Sequence, residues 1–324
     1  MKEAAQDTSK IPRDDPHAWS SLWRAGVLHS CGKAFQGNYS GPLQAFWQQR
    51  FDALGDGDRM VDIGTGNGAI PLLASQNARR RGIDLDLHGV DIADIDPPAC
   101  ISGGQAMYAG IRFHPRTSAL SLPFADASVH LLTSQYALEY MPRAQAIREA
   151  LRVMGYDGAA AFVLHSDDSI ISATLSPQLR GLDWLFGQSE LLARTRQLIA
   201  HHTMKSQPPS ADATIRAEFE SAMREFMNVV HENPSTDILR KVTGHLRNIL
   251  SLEPAGAMAA LDRTERSLRD EHERLRQLQR AILTQEDFDQ LAEVFASTGR
   301  RVTVTPIDHV PGTCMGRTMM IERA

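Results

Sequence analysis

Cysteine is scarce in this chain. Three residues in 324, Cys31, Cys100 and Cys314, lie far apart and form no CxxC pair. A disulfide framework and a structural zinc site are therefore disfavoured, and no metal site is expected. No uninterrupted apolar run approaches the roughly 20 residues needed to span a bilayer. The N-terminal stretch MKEAAQDTSKIPRDDPHAW is polar and mixed in charge, without the apolar core of a secretory signal. The expectation is a cytoplasmic protein with no membrane span. A basic stripe is missing as well. With a formal net charge of −5, the chain offers no obvious surface for neutralising phosphates, which disfavours a nucleic-acid partner. The one cationic run, Arg79-Arg80-Arg81, closes a predicted helix, where cations suit the dipole. Composition is otherwise that of a globular protein, 42% hydrophobic and 23% charged, which excludes wholesale disorder and fibrous architectures.

Residues 1–57 read as a frayed tail followed by a helical cap, with Trp19, Leu22, Trp23 and then Phe46, Phe51, Leu54 at helical spacing and a turn at Asn38–Pro42. From residue 58 to 168, strands and helices alternate. The predicted strands are Arg59–Ile63, Asp86–Asp91, Ile111–His114, Val129–Ser134 and Ala159–His165, with helices over Ala69–Arg80, Ala99–Ala109 and Pro142–Met154. Such alternation gives an α/β fold with a parallel sheet and crossover helices. Residues 169–283 carry almost no strand signal and much helical pattern, with breaks expected at Pro208-Pro209-Ser210 and Glu253–Gly256. Leu261, Leu268, Leu275 and Ile282 recur seven apart, a narrow stripe suited to one partner helix. It packs either in a hairpin within the chain or across a homodimer contact. Residues 284–324 return to the core with a helix and a final hairpin, Arg301–Ile307 and Arg317–Ile321, about Pro311-Gly312. The helical block is thus a large insertion before the last two strands.

The strongest chemical signal is Val61-Asp62-Ile63-Gly64-Thr65-Gly66-Asn67-Gly68. A strand ending in glycines lets backbone approach a ligand, and the following helix offers free N–H groups. Gly64, Gly66 and Ala69 also satisfy the G-x-G-x-x-G/A dinucleotide fingerprint, and Asp91 suits ribose hydroxyls in either case. Asp62 separates the readings. A carboxylate two positions before the first glycine disfavours a pyrophosphate there and favours a sulfonium and an α-ammonium. The closing antiparallel hairpin points the same way.

These residues resemble the class I S-adenosylmethionine-dependent methyltransferases. The likeness rests on the D-x-G-x-G-x-G of Asp62, Gly64, Gly66 and Gly68, on Asp91, and on Leu122-Pro123-Phe124-Ala125-Asp126-Ala127-Ser128-Val129, which is similar to the family's LPF-x-D-x-S segment. It covers about residues 58–168 and 301–323. It implies a Rossmann-like seven-stranded, mostly parallel sheet whose last strand is antiparallel, and S-adenosyl-L-methionine as cofactor. Asp62, Gly64, Thr65, Gly66 and Gly68 would meet its methionine end, Asp91 and Ile92 its ribose, and Ser118 and Ala119 its adenine. Gln135 and Tyr39 complete the implied cofactor set. Two positions depart from the pattern. Ser118 stands where many relatives carry an Asp that contacts the adenine amino group, and Val129-His130 replaces Phe-Asp at the fourth strand.

Methyl transfer by in-line displacement needs alignment more than covalent help. Groups that orient or deprotonate an acceptor are expected after strands four and five: Tyr136, Glu139 and His165, for each of which a structural role is the alternative. Asp167 and Asp168 read as caps of the next helix. The apolar residues of the insertion (Leu182, Trp184, Leu185, Phe186, Leu191, Leu192) form its own core or a tunnel for an apolar acceptor. The expected function is methyl transfer to a small organic molecule. A protein- or RNA-modifying methyltransferase, an NAD-dependent oxidoreductase and a non-catalytic assembly module remain as alternatives.

Overall fold

The computed structural model describes residues 16–31, 34–203, 209–232 and 237–324. The expected tail, residues 1–16, apart from its last residue, and the start of the expected Pro208-Pro209-Ser210 break lie outside them. The chain divides into two compact units. One comprises the residues up to Ser172 and from Gln277 onward; the other runs from Ala173 to Arg276.

The first unit begins with α1 (His17–Arg24) and α2 (Gly41–Phe51). It continues through β1 (Arg59–Ile63), α3 (Ala69–Arg81), β2 (Asp86–Val90), the single turns α4 (Pro97–Cys100) and α5 (Gly104–Met107), and β3 (Ile111–His114). Then follow β4 (Leu131–Gln135), a 3-10 turn at Leu138–Tyr140, α6 (Arg143–Met154) and β5 (Ala159–Leu164). Helix α7 (Ile170–Gly187) leads into the second unit, and α11 (Pro254–Ala281) returns from it to α12 (Gln285–Ala296), β6 (Arg300–Asp308) and β7 (Cys314–Arg323). The seven strands form one sheet in the order β3-β2-β1-β4-β5-β7-β6. Strands β3, β2, β1, β4 and β5 pair parallel. Strand β7 runs antiparallel between β5 and β6. The expected single helix over 99–109 is two short turns instead, because Gly103, at φ 73°, breaks it.

Burial on both faces explains why the central strands read as apolar runs. Alternate residues enter two cores. Met60, Leu131, Ala161 and Val163 pack with Leu43, Trp47, Phe51, Ile70 and Leu73 of α2 and α3. Val61, Ile63, Leu132, Phe162 and Leu164 pack on the other face with Ile147 and Val153 of α6 and Phe288, Leu291 and Phe295 of α12. The start of α12 is fixed by a reciprocal capping box between Thr284 and Asp287, which satisfies two otherwise orphaned N–H groups. Helix α7 is capped by Ser169, whose Oγ accepts from the Ser172 N–H at 3.3 Å. Asp168, expected to cap it, is drawn off by Arg317 at 2.7 Å.

The second unit holds α8 (Leu191–Thr203), α9 (Pro209–Glu232) and α10 (Asp237–Leu250) with the inner parts of α7 and α11. Leu182, Leu185, Leu191, Phe226, Val242, Leu246, Leu261 and Leu268 form its core, with Trp184, Phe186, Leu192 and Leu275 packed against it. Leu261, Leu268 and Leu275 of the seven-residue stripe and the apolar residues at 182–192 thus pack inside the unit, whereas Ile282 belongs to the first unit.

Gly158, just ahead of β5, tests how tightly the sheet is seated on α6. A Cβ there would meet the carbonyl oxygens of Met154 at 2.4 Å and Val129 at 2.5 Å. Neither carbonyl can swing away as a flexible side chain would. Gly158→Ala is expected to cost about 1–3 kcal/mol, read as a lowered midpoint in thermal or urea unfolding; an unchanged midpoint would contradict the packing.

Candidate active site

The carboxyl ends of β1, β2 and β4 open into a cavity of about 930 Å³ within the first unit, near the upper end of the roughly 300–1,000 Å³ usual for small-molecule sites. Asp62, Gly64, Thr65, Asp91, Ile92, Ser118, Ala119, Gln135, Tyr39 and Tyr136 all line it. Gly66 and Gly68 do not, although they shape the loop that does.

Register explains the assembly. Asp62 pairs across the sheet with Thr133 of β4, on the same face, and accepts a hydrogen bond from the Thr133 hydroxyl at 2.7 Å. The loop that follows is tied to β2, with the Gly64 and Thr65 N–H groups on the Val90 carbonyl at 2.8 and 3.1 Å. The Gly66 N–H donates to Asp91 at 2.8 Å, as does Ala93 N–H at 2.8 Å to its other oxygen. Each carboxylate oxygen of Asp91 retains a lone pair for a further donor. Thr117 is held to the Asp91 carbonyl at 2.8 Å, so Ser118 is carried to the same wall.

The glycines are required by protein packing. Gly64 and Gly66 have φ of 65° and 53°. A Cβ on Gly66 would stand 2.6 Å from the Trp23 ring, and one on Gly64 2.2 Å from the Ala137 Cβ. Trp23 comes from α1, and Asn67 anchors that helix by donating to the carbonyls of Trp23 at 2.8 Å and Val27 at 2.7 Å. The cap thereby lends the cavity an aromatic wall. Trp19 stacks near Trp23 at 6.0 Å, meets Tyr140 edge-on at 5.7 Å, and donates to Gln277 at 2.6 Å.

The carboxylates set the electrostatics. Asp62 is 2% exposed, and burial raises its pKa to about 7 against the pull of its hydroxyl hydrogen bonds, with Asp91 nearby adding a like charge. Burial likewise raises Asp91, opposed by its two backbone N–H donors. The guanidiniums among the lining residues, Arg143 and Arg148, both belong to α6, and Arg143 is paired with Asp287 at 2.5 Å. The glycine-loop end thus offers two carboxylates and no guanidinium, which suits a cation and opposes a diphosphate. Gln135 Nε2 is buried with the Tyr39 phenol beside one of its two N–H bonds, which leaves the other for a ligand. The residues present therefore fit a positively charged, phosphate-free nucleoside.

A profile of methyltransferase domains matches residues 61–162. This segment is a methyltransferase domain, and the methyl donor that such a domain implies is S-adenosylmethionine. The match spans the site-bearing ends of β1, β2 and β4 together with Asp91. No curated protein matches the sequence. Among solved structures, the chain is similar to the methyltransferase domain of the citrinin polyketide synthase at 10% identity and a TM-score of 0.42, over 87% of this chain. It spans about half, 51%, of that structure's length. It is also similar to a candidate S-adenosyl-L-methionine-dependent methyltransferase of Methanococcus maripaludis (12% identity, 100% of this chain and 97% of the other, TM-score 0.40). A third is phosphoethanolamine N-methyltransferase 2 of Haemonchus contortus, in complex with S-adenosyl-L-methionine (13% identity, 94% and 57% covered, TM-score 0.37).

Three residues expected to act on the acceptor are placed differently from the cofactor set. Tyr136 lines the cavity, but its hydroxyl donates to the Met315 carbonyl at 3.1 Å, and burial pushes its pKa well up. Glu139 and His165 pair at 2.6 Å behind Tyr136, on whose ring His165 stacks at 4.3 Å; neither lines the cavity. A lining residue that sequence reasoning missed is His29, in the turn after α1. It is 5% exposed, stacks on Tyr39 at 4.3 Å, and its Nε2 lies 2.9 Å from the Gly37 carbonyl. A carbonyl only accepts, so Nε2 carries the hydrogen and Nδ1 presents a bare lone pair. Burial lowers the His29 pKa. No sequence signal ties His29 to Gly37 and Tyr39, since the contact arises from how the turn folds back.

Two measurements check these assignments. Cation binding favours the charged form of Asp62, so below its pKa of about 7 a proton must leave on binding. Affinity for S-adenosylhomocysteine, by calorimetry from about pH 5.5 to 8.5, is expected to be flat above neutrality and to fall up to about tenfold per unit below it. Invariance across that range would remove Asp62 from the contact. For His29, ring nitrogen chemical shifts are expected to show the Nε2–H tautomer at neutral pH and titration below the usual 6.5; a hydrogen on Nδ1 would contradict the assignment.

Proposed function

We propose that the protein transfers a methyl group from S-adenosylmethionine to a small organic acceptor. The observation that carries this reading is the make-up of the cavity wall. Asp62, Asp91, Ile92 and Ser118 would accommodate the donor. Trp19, Leu28, His29, Ile70 and Tyr140 remain for a second molecule of modest size and largely apolar or aromatic surface. Bound there, the donor supplies an electrophilic methyl group. The protein's part is to align the acceptor, exclude water and receive any proton released.

An RNA acceptor is less well supported. Several arginines of the second unit pair with acids: Arg240 with Asp237, Arg269 with Glu265, Arg274 with Glu271, Arg276 with Asp183. Such interspersed pairs reduce the positive charge on offer to a phosphate backbone among the described residues. Incubating cell extract with a donor carrying an isotopically labelled methyl group, followed by untargeted mass spectrometry, is expected to label a small metabolite. Label confined to protein or RNA would overturn the reading.

A further inference from the structure

The sheet order places three polar groups in a row at the strand ends. Asp91 follows β2, Asp62 lies in β1 and Gln135 ends β4, and these strands are consecutive neighbours. Adjacent strands lie about 4.8 Å apart, so the row spans roughly 10 Å. That is the reach of a nucleoside joined to an amino-acid side chain. Asp91 suits ribose hydroxyls and Asp62 suits positive charge. The third group sits where the amino-acid end would finish.

Gln135 there is locked in one orientation. The indole N–H of Trp47 donates to its Oε1 at 2.5 Å. An indole has a hydrogen to give and nothing to accept with. Turning the amide over would set N–H against N–H, so Oε1 must face Trp47 and Nε2 must face away from it. Trp47 is fully buried on α2, in the core that also holds Phe51 and Leu43, and cannot move aside. Nε2 is buried on a residue that lines the cavity, with at least one of its two N–H bonds left over. The Tyr39 phenol is the polar group beside it and can engage only one of its two N–H bonds. An unpaired amide donor held inside a protein is costly, and it points to an anionic or carbonyl oxygen on the ligand.

We propose that Trp47 is a positioning residue that fixes the Gln135 amide so that Nε2 receives the α-carboxylate of the methyl donor. This rests on the methyltransferase reading and extends it to a selectivity for the amino-acid end. The indole never reaches the ligand. It decides which end of the amide does. A carboxylate close to Asp62 would otherwise be repelled, and the amide donor, together with the ammonium that Asp62 attracts, makes the zwitterion tolerable there.

The probes are S-adenosylhomocysteine and its decarboxylated form, S-adenosyl-3-thiopropylamine, titrated calorimetrically into the full chain. The wild type is expected to favour the carboxylate-bearing compound by about ten- to a hundredfold. Gln135→Met and Trp47→Phe are each expected to remove that preference while leaving affinity for the decarboxylated compound unchanged. Gln135→Met guards against failure of the Trp47 variant to fold, and thermal melts of both variants accompany the titrations. Equal loss for both compounds in the folded Gln135→Met protein, or a preference that survives in it, overturns the proposal. So does a folded Trp47→Phe protein that keeps the preference. A wild type that binds neither compound overturns instead the methyltransferase reading on which the proposal rests.

Discussion

Asp62 is a carboxylate inside a parallel sheet, and the arrangement around it follows from that placement. A buried carboxylate loses its hydration, and one hydroxyl hydrogen bond from Thr133 does not replace it. The result is a pKa near 7 in a group that would titrate near 4 in water. Burial of an ionisable group at a cleft is characteristic of sites that use its charge. Here the compensation has to come from a ligand cation, and the cavity gives such a cation no competing guanidinium at that end. A structural acid would more usually be matched by Arg or Lys within the protein, as Asp86 is by Arg59 and Arg112. The contrast between these two aspartates, both on central strands of one sheet, separates a framework charge from a working one.

The glycine loop shows a second division of labour. Gly66 yields space to Trp23 and its N–H to Asp91, while Asn67 holds the carbonyls that end α1. One loop therefore secures the cap, fixes the Asp91 carboxylate and leaves Thr65 facing the cavity. Local strain at positive φ is offset by these contacts. Substitution of a loop glycine would thus act through the cap as well as through the ligand, and the two effects could not be separated by activity alone.

The order of strands and helices was legible because strand ends, glycines and crossover helices are local signals, and β1 through β5 fall close to where the alternation of the sequence puts them. That Asp62, Asp91 and Ser118 line one cavity was legible too, since a parallel sheet brings loops after neighbouring strands to one edge whatever their separation in the chain. The same rule misled for Glu139 and His165. Both follow strand ends, but they close on each other behind Tyr136 and spend their polarity internally. Side-chain direction there is set by the pairing of Glu139 with His165 and by the stacking of His165 on Tyr136, which no spacing encodes. His29 and Trp47 were illegible for the complementary reason. Each depends on a helix or turn folding over the sheet from far away in sequence, with Trp47 and Gln135 88 positions apart.

The polarity of the cavity also bears on how the fold excludes its commonest alternative ligand. Dinucleotide sites place a pyrophosphate against the glycine loop and draw on helix N-terminal N–H groups for it. Here the Gly66 N–H already donates to Asp91, so an anion at that point would displace one carboxylate and face another at Asp62. The guanidiniums of Arg143 and Arg148 stand on α6, not at the loop, and cannot supply the missing countercharge. The Gly66 amide braces the acid that follows β2, and the carboxylate that opposes a phosphate beside the loop is Asp62. The same fingerprint of glycines therefore serves opposite electrostatics, and what decides between them is the carboxylate beside the loop.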